Sequence, residues 1–107
     1  VIKYNAHEPE AMRRYADIAR RVGLGGMSEK AQVNALIEKI ESFNRAMNIP
    51  KTIQEFGVKE PEFLEKLDSI AANAVADACT GSNPRTITPE QMAKLFKCTF
   101  YGTEVDF

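Results

Sequence analysis

The 107-residue sequence lacks tryptophan, contains a single histidine and has only two cysteines. Aromatic residues make up 8% of the chain, so an interior built from aliphatic side chains is expected, and this favours packed helices. Cys79 and Cys98 do not form a CxxC pair, and one histidine cannot complete a recognisable zinc motif. These absences exclude a zinc-binding module and predict reduced thiols and a cytoplasmic location.

No apolar run reaches the roughly 20 residues that a membrane helix needs, and no charged-then-apolar leader opens the chain. Lys and Arg number 14 against 15 Asp and Glu, which gives a net charge of −1. Attraction to nucleic acid or to an anionic membrane through bulk charge is therefore unsupported. The length fits one domain or a piece of one. Because the chain opens at Val1 without an initiator methionine, we expect a piece of a longer protein, although processing also produces such a start.

Apolar residues recur at steps of three and four through most of the chain, the spacing of one helical face. This spacing predicts four long or medium helices near 8–22, 28–47, 61–78 and 88–101, and a short helix near 52–56. No strand pattern competes with them. We therefore expect an all-α fold, a compact array of four to five helices.

Local signals mark the helix ends. Ser28 has the hydroxyl of an N-cap, and the pairs Thr52-Glu55 and Thr88-Gln91 have the spacing of a capping box. The helices are expected to end at a glycine or before a proline, at Gly23, Pro50, Gly57 and Gly102. The sequence thus predicts the helix boundaries as well as the number of helices.

Titratable residues that could carry chemistry are few. His7 has only Glu8 and Glu10 beside it, a weak oxygen-rich set for a metal, so a surface role is favoured. The pairs Arg13-Arg14 and Arg20-Arg21 lie on one helix face, where they could bind phosphate or an acidic partner or simply face water. Neither feature identifies an active site.

One segment differs from the rest, Asp77-Ala78-Cys79-Thr80-Gly81-Ser82-Asn83-Pro84-Arg85. Residues 80–84 favour turn geometry, so we expect a loop with no helix. Its amides and Arg85 could hold an anion. Cys79 would need a nearby base to act as a nucleophile, and no credible base is evident, so a packing role is favoured.

This segment, with the capped helix that ends in Phe100-Tyr101-Gly102, resembles the carboxy-terminal end of the iron-containing alcohol dehydrogenases. Residues Val1-Ile2-Lys3-Tyr4-Asn5-Ala6 resemble the stretch just past the last metal-binding histidine of that family. Tyr15-Ala16-Asp17-Ile18-Ala19 and Asn48-Ile49-Pro50 resemble its following helix and helix break. The ending to Phe107 is similar to the alcohol dehydrogenase half of bifunctional aldehyde-alcohol dehydrogenases, and a single-function relative fits nearly as well.

The resemblance implies that residues 1–107 are the carboxy-terminal portion of a larger helical metal-binding domain. Family members interconvert short primary alcohols and aldehydes by hydride transfer. They bind NAD(P) in an amino-terminal α/β domain and hold Fe²⁺ or another divalent metal with one Asp and three His. None of those positions falls in this chain, so we expect it to bind neither metal nor NAD(P), to contain no catalytic residue and to be inactive alone. The implied partners are the remainder of the enzyme, its substrate and further copies in a homo-oligomer.

The resemblance also implies roles for four residues of the segment. Cys79 is expected to form part of the wall of the substrate pocket, through shape and not through attack. Asn83 and Pro84 are expected to fix the loop, and Arg85 to anchor it to a carboxylate or carbonyl.

A rival hypothesis is an autonomous helical interaction module. Such a module would bind a partner through the arginine-bearing first helix or through residues 52–79, which carry six acidic groups against two basic ones. The missing methionine and the apolar first residues argue against it.

Overall fold

The computed structural model describes residues 1–107 and contains helices and loops without a strand. The six α-helices are α1 (Ile2–Asn5), α2 (Pro9–Arg21), α3 (Glu29–Ala46), α4 (Ile53–Phe56), α5 (Glu60–Ala76) and α6 (Pro89–Tyr101), and a 3-10 turn spans Thr80–Ser82. The predicted all-α fold is confirmed. The chain divides into a first unit, Val1–Ile49 with Asp106–Phe107, and a second unit, Pro50–Val105.

The first unit is built on an antiparallel pair of helices, α2 and α3. Ala16 and Ala19 of α2 are completely buried, and their small side chains allow neighbouring segments to pack closely. Arg20 donates from Nη1 to Oε1 of Gln32 at 2.9 Å, which ties the end of α2 to the start of α3. The tail returns to this unit, because the ring of Phe107 meets Tyr4 edge-on at 6.0 Å.

The second unit has an aromatic core between α5 and α6. The ring of Phe63 stacks on Phe100 with centroids 4.2 Å apart and planes 9° apart. Leu67 completes the buried set, and half-buried side chains pack around it, namely Ile53, Val58, Ile70, Ala93 and Phe96. The short helix α4 is therefore positioned by apolar contact with α5 and α6 and not by its own propensity.

The predicted caps are present, with one difference. Ser28 Oγ accepts from the amide of Ala31 at 3.1 Å, and Thr88 and Gln91 form the complete reciprocal box. Thr52 accepts from the amide of Glu55 at 3.0 Å. The Glu55 carboxylate, however, accepts from the amide of Lys51 and not from Thr52. The capping box predicted at Thr52-Glu55 is thus half formed, and the Glu55 carboxylate binds the backbone one position earlier, at Lys51.

The structure differs from the sequence prediction in the number of helices, in the end of α5 and in one turn. The array has six α-helices where four to five were expected, because α1 has four residues and is too short to show a period. Helix α5 ends at Ala76, two residues early, because Asp77 adopts an extended conformation with ψ 136°. Thr80–Ser82, expected to be a non-helical loop, forms a 3-10 turn, since turn-forming residues tolerate its i to i+3 hydrogen bonds.

Candidate functional site

The segment from Asp77 to Arg85 follows the end of α5 and precedes α6 in the second unit. Oδ1 of Asp77 accepts from the amide of Cys79 at 2.8 Å, which turns the chain away from the helix axis. The hydroxyl of Thr80 donates to the carbonyl of Ala74 at 2.6 Å. That bond satisfies one of the carbonyls left without a partner at the end of α5.

The rest of the loop is held by its own side chains. Ser82 Oγ donates to the carbonyl of Cys79 at 2.8 Å, and Asn83 Nδ2 donates to the carbonyl of Arg85 at 2.6 Å. Pro84 lies between the two residues that the second bond joins, with its φ restricted by the ring. The loop therefore has a conformation set by local hydrogen bonds.

Of the four residues singled out from the sequence, Cys79 is exposed and is a free thiol. Asn83 and Arg85 are half-buried, and Pro84 is exposed. The structure thus brings all four into one short loop, with the Cys79 side chain accessible from outside this chain.

The region around His7 offers no metal centre. Nδ1 of His7 lies 3.1 Å from the carbonyl oxygen of Lys3. Glu8 Oε2 accepts from the amide of Ala11 at 2.7 Å as the N-cap of α2. The second acidic neighbour, Glu10, accepts hydrogen bonds from Arg13 and Arg14. Nowhere in residues 1–107 do three or more His, Cys, Asp or Glu side chains come together as a set able to hold a metal ion.

The arginine pairs of α2 are matched with acids of the same helix. Arg13 Nη2 and Arg14 Nε each donate to Glu10 Oε1, at 2.7 and 2.9 Å. Hydrogen bonds from these two guanidinium groups lower the pKa of Glu10 to about 2. Asp17 accepts in the same way from Arg21 at 2.8 Å and from Arg20 at 3.3 Å, and these bonds lower its pKa. The arginine-bearing face of α2, for which phosphate, an acidic partner or water were the alternatives, therefore carries exposed ion pairs within the helix, each of small energetic value.

A contact that the sequence did not indicate joins the ends of α5 and α6. The hydroxyl of Tyr101 donates to Oε1 of Glu60 at 2.7 Å, across 41 positions in the chain. One turn earlier in α6, Cys98 Sγ donates to the carbonyl of Glu104 at 3.3 Å and holds the start of the tail. No local pattern could have indicated either bond, because each depends on how the chain folds back.

None of the helices is both long enough and apolar enough to cross a membrane.

Comparison with known proteins finds similarity along the whole chain. Residues 1–100 match the family described as Fe-containing alcohol dehydrogenase family, C-terminal. The chain is similar to the NADPH-dependent butanol dehydrogenase of Clostridium saccharobutylicum, with 45% identity over all 107 residues and 27% of that protein's length. It is also similar to the bifunctional aldehyde-alcohol dehydrogenase AdhE of Escherichia coli K12, with 34% identity over 97% of the chain and 13% of that protein.

A third relative is the lactaldehyde reductase of Escherichia coli K12, 36% identical over 90% of the chain and 24% of that protein. The chain thus spans about a quarter or less of the length of these relatives. The family match covers α1 to α5, the loop from Asp77 to Arg85, and α6 except for its last residue, Tyr101. The chain therefore belongs to the Fe-containing alcohol dehydrogenase family, and these residues are its carboxy-terminal part.

Proposed function

We propose that this chain is the carboxy-terminal helical part of an NADPH-linked, metal-dependent enzyme that interconverts short primary alcohols and aldehydes. The observation that carries the proposal is the 45% identity with a butanol dehydrogenase, which extends along all 107 residues without a gap in coverage. Since the chain spans 27% of that protein, the remainder of the polypeptide would supply the nucleotide and metal sites.

The residues of this chain do not themselves fit the metal or the nucleotide. Its one histidine has its Nδ1 against backbone carbonyls, and no set of three ligating side chains converges. No glycine-rich turn joins a strand to a helix, because the chain has no strand. We therefore assign no step of hydride transfer to residues 1–107 and propose that the chain is inactive alone.

The contribution of this chain would be the loop from Asp77 to Arg85. Its conformation is set by side-chain hydrogen bonds, and Cys79 in it is an exposed residue with a free thiol. We propose that Cys79 forms part of the pocket wall in the complete enzyme, and that Asn83, Pro84 and Arg85 hold it there. Both cysteines are free, which supports a reducing, cytoplasmic environment.

The direct test is an assay of the polypeptide expressed from the complete gene. We expect butanol-dependent reduction of NADP⁺, slower reduction of NAD⁺, and no reduction of either by the isolated 107-residue chain. A complete polypeptide that is folded and metal-loaded but oxidises no primary alcohol would contradict the proposal. So would a reading frame that begins at Val1 and encodes no preceding sequence.

A bifunctional parent is the second candidate, favoured by the 34% identity with the Escherichia coli enzyme over 97% of the chain. That relative is about twice as long as the butanol dehydrogenase, since a similar stretch makes up 13% of it against 27%. The length of the complete polypeptide therefore distinguishes the two parents. The higher identity with the butanol dehydrogenase supports a single-function parent.

A further inference from the structure

Tyr4 of α1 is a large side chain that residues 1–107 bury by themselves. It is 1% exposed, although Val1 at the start of the same segment is exposed. Because this burial is already complete within the chain, it does not depend on polypeptide outside these residues. The contacts around Tyr4 are therefore internal to this part of the protein.

The tail, residues 103–107, supplies one of those contacts. It contains neither helix nor strand. The ring of Phe107 meets the ring of Tyr4 edge-on with centroids 6.0 Å apart, a geometry in which aromatic rings attract each other. Phe107 is half-buried whereas Tyr4 is buried, so Phe107 is the outer ring of the pair. Accordingly, Asp106 and Phe107 group with the first unit, whereas the residues before them group with the second.

A second contact holds the next residue of α1. Asn5 is 1% exposed, and its Nδ2 donates to the hydroxyl of Tyr15 on α2 at 3.1 Å. Helix α1 is therefore held by α2 through Asn5 and by the tail through Tyr4. Of these two supports, α2 is a regular helix of 13 residues and the tail is an irregular segment.

The base of the tail is attached to the end of α6 by hydrogen bonds of modest strength. The amide of Thr103 donates to the carbonyl of Cys98 at 3.2 Å. The thiol of Cys98, a weak donor, donates to the carbonyl of Glu104 at 3.3 Å. Thr103 and Glu104 are exposed. An exposed segment outside regular secondary structure opens at a lower free energy than the helices beside it.

We propose that residues 103–107 form a strap that closes over Tyr4, and that opening of the strap is a local step that releases α1 while α2 stays folded. Phe107 closes the strap on Tyr4, and Cys98 holds its base. Because these two contacts lie in series along one short segment, losing either of them frees the same segment. The effects of losing both are therefore smaller than the sum of the single effects.

Hydrogen exchange followed by mass spectrometry tests the strap in the polypeptide expressed from the complete gene. The readout is the exchange of amides 5–7, which bond to carbonyls of residues 1–4, compared with the amides of α2. Phe107→Ala removes the outer ring, and Phe107→Tyr keeps it. Asp106→Ala is the matched control, because it changes the exposed neighbouring residue and leaves both rings in place.

We expect Phe107→Ala to accelerate exchange of amides 5–7 by at least about tenfold, with the amides of α2 unchanged, since only the local opening becomes easier. Phe107→Tyr and Asp106→Ala should remain within about twofold of the unsubstituted protein, because the ring contact persists in both. Cys98→Ala should also accelerate amides 5–7. The double variant of Cys98→Ala with Phe107→Ala should exchange no faster than Phe107→Ala alone.

Unchanged exchange of amides 5–7 in Phe107→Ala would overturn the strap. Equal acceleration of α2 would show general loosening and would overturn the local step, and multiplied effects in the double variant would overturn the arrangement in series. If Phe107→Ala does not fold, Cys98→Ala makes the same comparison of α1 with α2 with the ring still present. Alcohol oxidation is not the readout, so the result is independent of the proposed function.

Discussion

Tyr101 at the end of α6 donates its hydroxyl hydrogen to Oε1 of Glu60 at the start of α5, with the oxygens 2.7 Å apart. The hydrogen bond to Glu60, burial and the negative charge of that carboxylate together raise the pKa of Tyr101 above its usual value of 10.0. The bond lies beside the aromatic core, because Tyr101 also meets the ring of Phe100 edge-on at 4.9 Å. It therefore closes the second unit at the end where α5 begins and α6 ends.

The first prediction concerns this phenol. Because the pKa of Tyr101 is raised in the folded protein, the fold favours the protonated phenol. The stabilisation from its bond to Glu60 is therefore fully present below the pKa of Tyr101 in the unfolded chain, and it is lost as the pH rises through the pKa in the folded chain. In Glu60→Gln the pKa of Tyr101 should fall towards 10.0, since the carboxylate charge is removed. Ultraviolet titration of phenolate absorbance measures it, with Glu62→Gln as a control that leaves the Tyr101 contact intact. An unchanged titration in Glu60→Gln would show that the bond does not form in solution.

The second prediction concerns the stacked rings of Phe63 and Phe100. Phe100 is fully buried, so Phe100→Ala should lower the free energy of unfolding by about 3–5 kcal/mol through lost burial and a cavity. Phe56→Ala is the control, because Phe56 is exposed on the same unit and its loss should cost less than about 0.5 kcal/mol. Urea unfolding followed by circular dichroism distinguishes them. Equal effects of the two substitutions would contradict the observed core.

The third prediction follows the ion pairs of α2. Because Arg13 and Arg14 lower the pKa of Glu10 to about 2, the stabilisation they provide is complete above about 4.5 and is lost as pH falls towards 2. The double variant Arg13→Gln with Arg14→Gln should return the Glu10 pKa towards 4.5. The chemical shift of the Glu10 carboxyl carbon, followed across pH, measures this pKa, and Arg45→Gln on α3 serves as the matched control. A titration near 2 that survives the double variant would assign the shift to another cause.

The fourth prediction concerns Cys79 in the complete enzyme. As part of a pocket wall, Cys79→Ala should change KM or the preferred length of the alcohol while turnover remains measurable. Cys98→Ala is the matched control. The Cys98 thiol donates to the carbonyl of Glu104, so its removal should alter the stability of the tail without altering KM. Loss of turnover by several orders of magnitude, with fold and metal content intact, would indicate a reacting thiol. Unchanged kinetics would place Cys79 outside the pocket.

The fifth prediction concerns the hydrogen bond that the Asn83 side chain donates to the carbonyl of Arg85, which we call the Asn83 brace. Asn83→Asp keeps the size of the side chain but removes the amide donor that bonds the Arg85 carbonyl at 2.6 Å. Amide hydrogen exchange of residues 80–85 should then accelerate by roughly tenfold, the effect of losing about 1.4 kcal/mol. Asn73→Asp, exposed on α5, is the control. Equal acceleration in both variants would show a general charge effect and no specific brace.

Much of the helical architecture could be predicted from sequence because its signals are local. The Thr88-Gln91 box, the Ser28 cap and the left-handed glycines at Gly57 and Gly102 act within one turn of chain. The family could be recognised for a similar reason, since the string from Cys79 to Arg85 is contiguous. Helix α1 was missed because a four-residue helix has no period to read.

The candidate site was only partly predictable. The sequence singled out Cys79 and Asn83, and local turn chemistry placed them in one loop, with the Asn83 brace observed directly. Whether that loop forms a pocket wall depends on polypeptide beyond these residues, so its role stays a prediction. The Thr80–Ser82 turn was wrongly expected to be non-helical, because turn-forming residues are equally compatible with one 3-10 turn.

By itself, then, the amino-acid sequence determined the helix-forming segments, most of their ends and the family, because each depends on neighbours within a few positions or on a contiguous motif. Only the tertiary structure decided that Val33 of α3 is buried whereas Phe43 of the same helix is exposed, since burial depends on which other segments pack against each residue. It also decided that Tyr101 meets Glu60, a contact between residues 41 positions apart. Such pairings follow from how helices pack together, which no local spacing in the chain encodes.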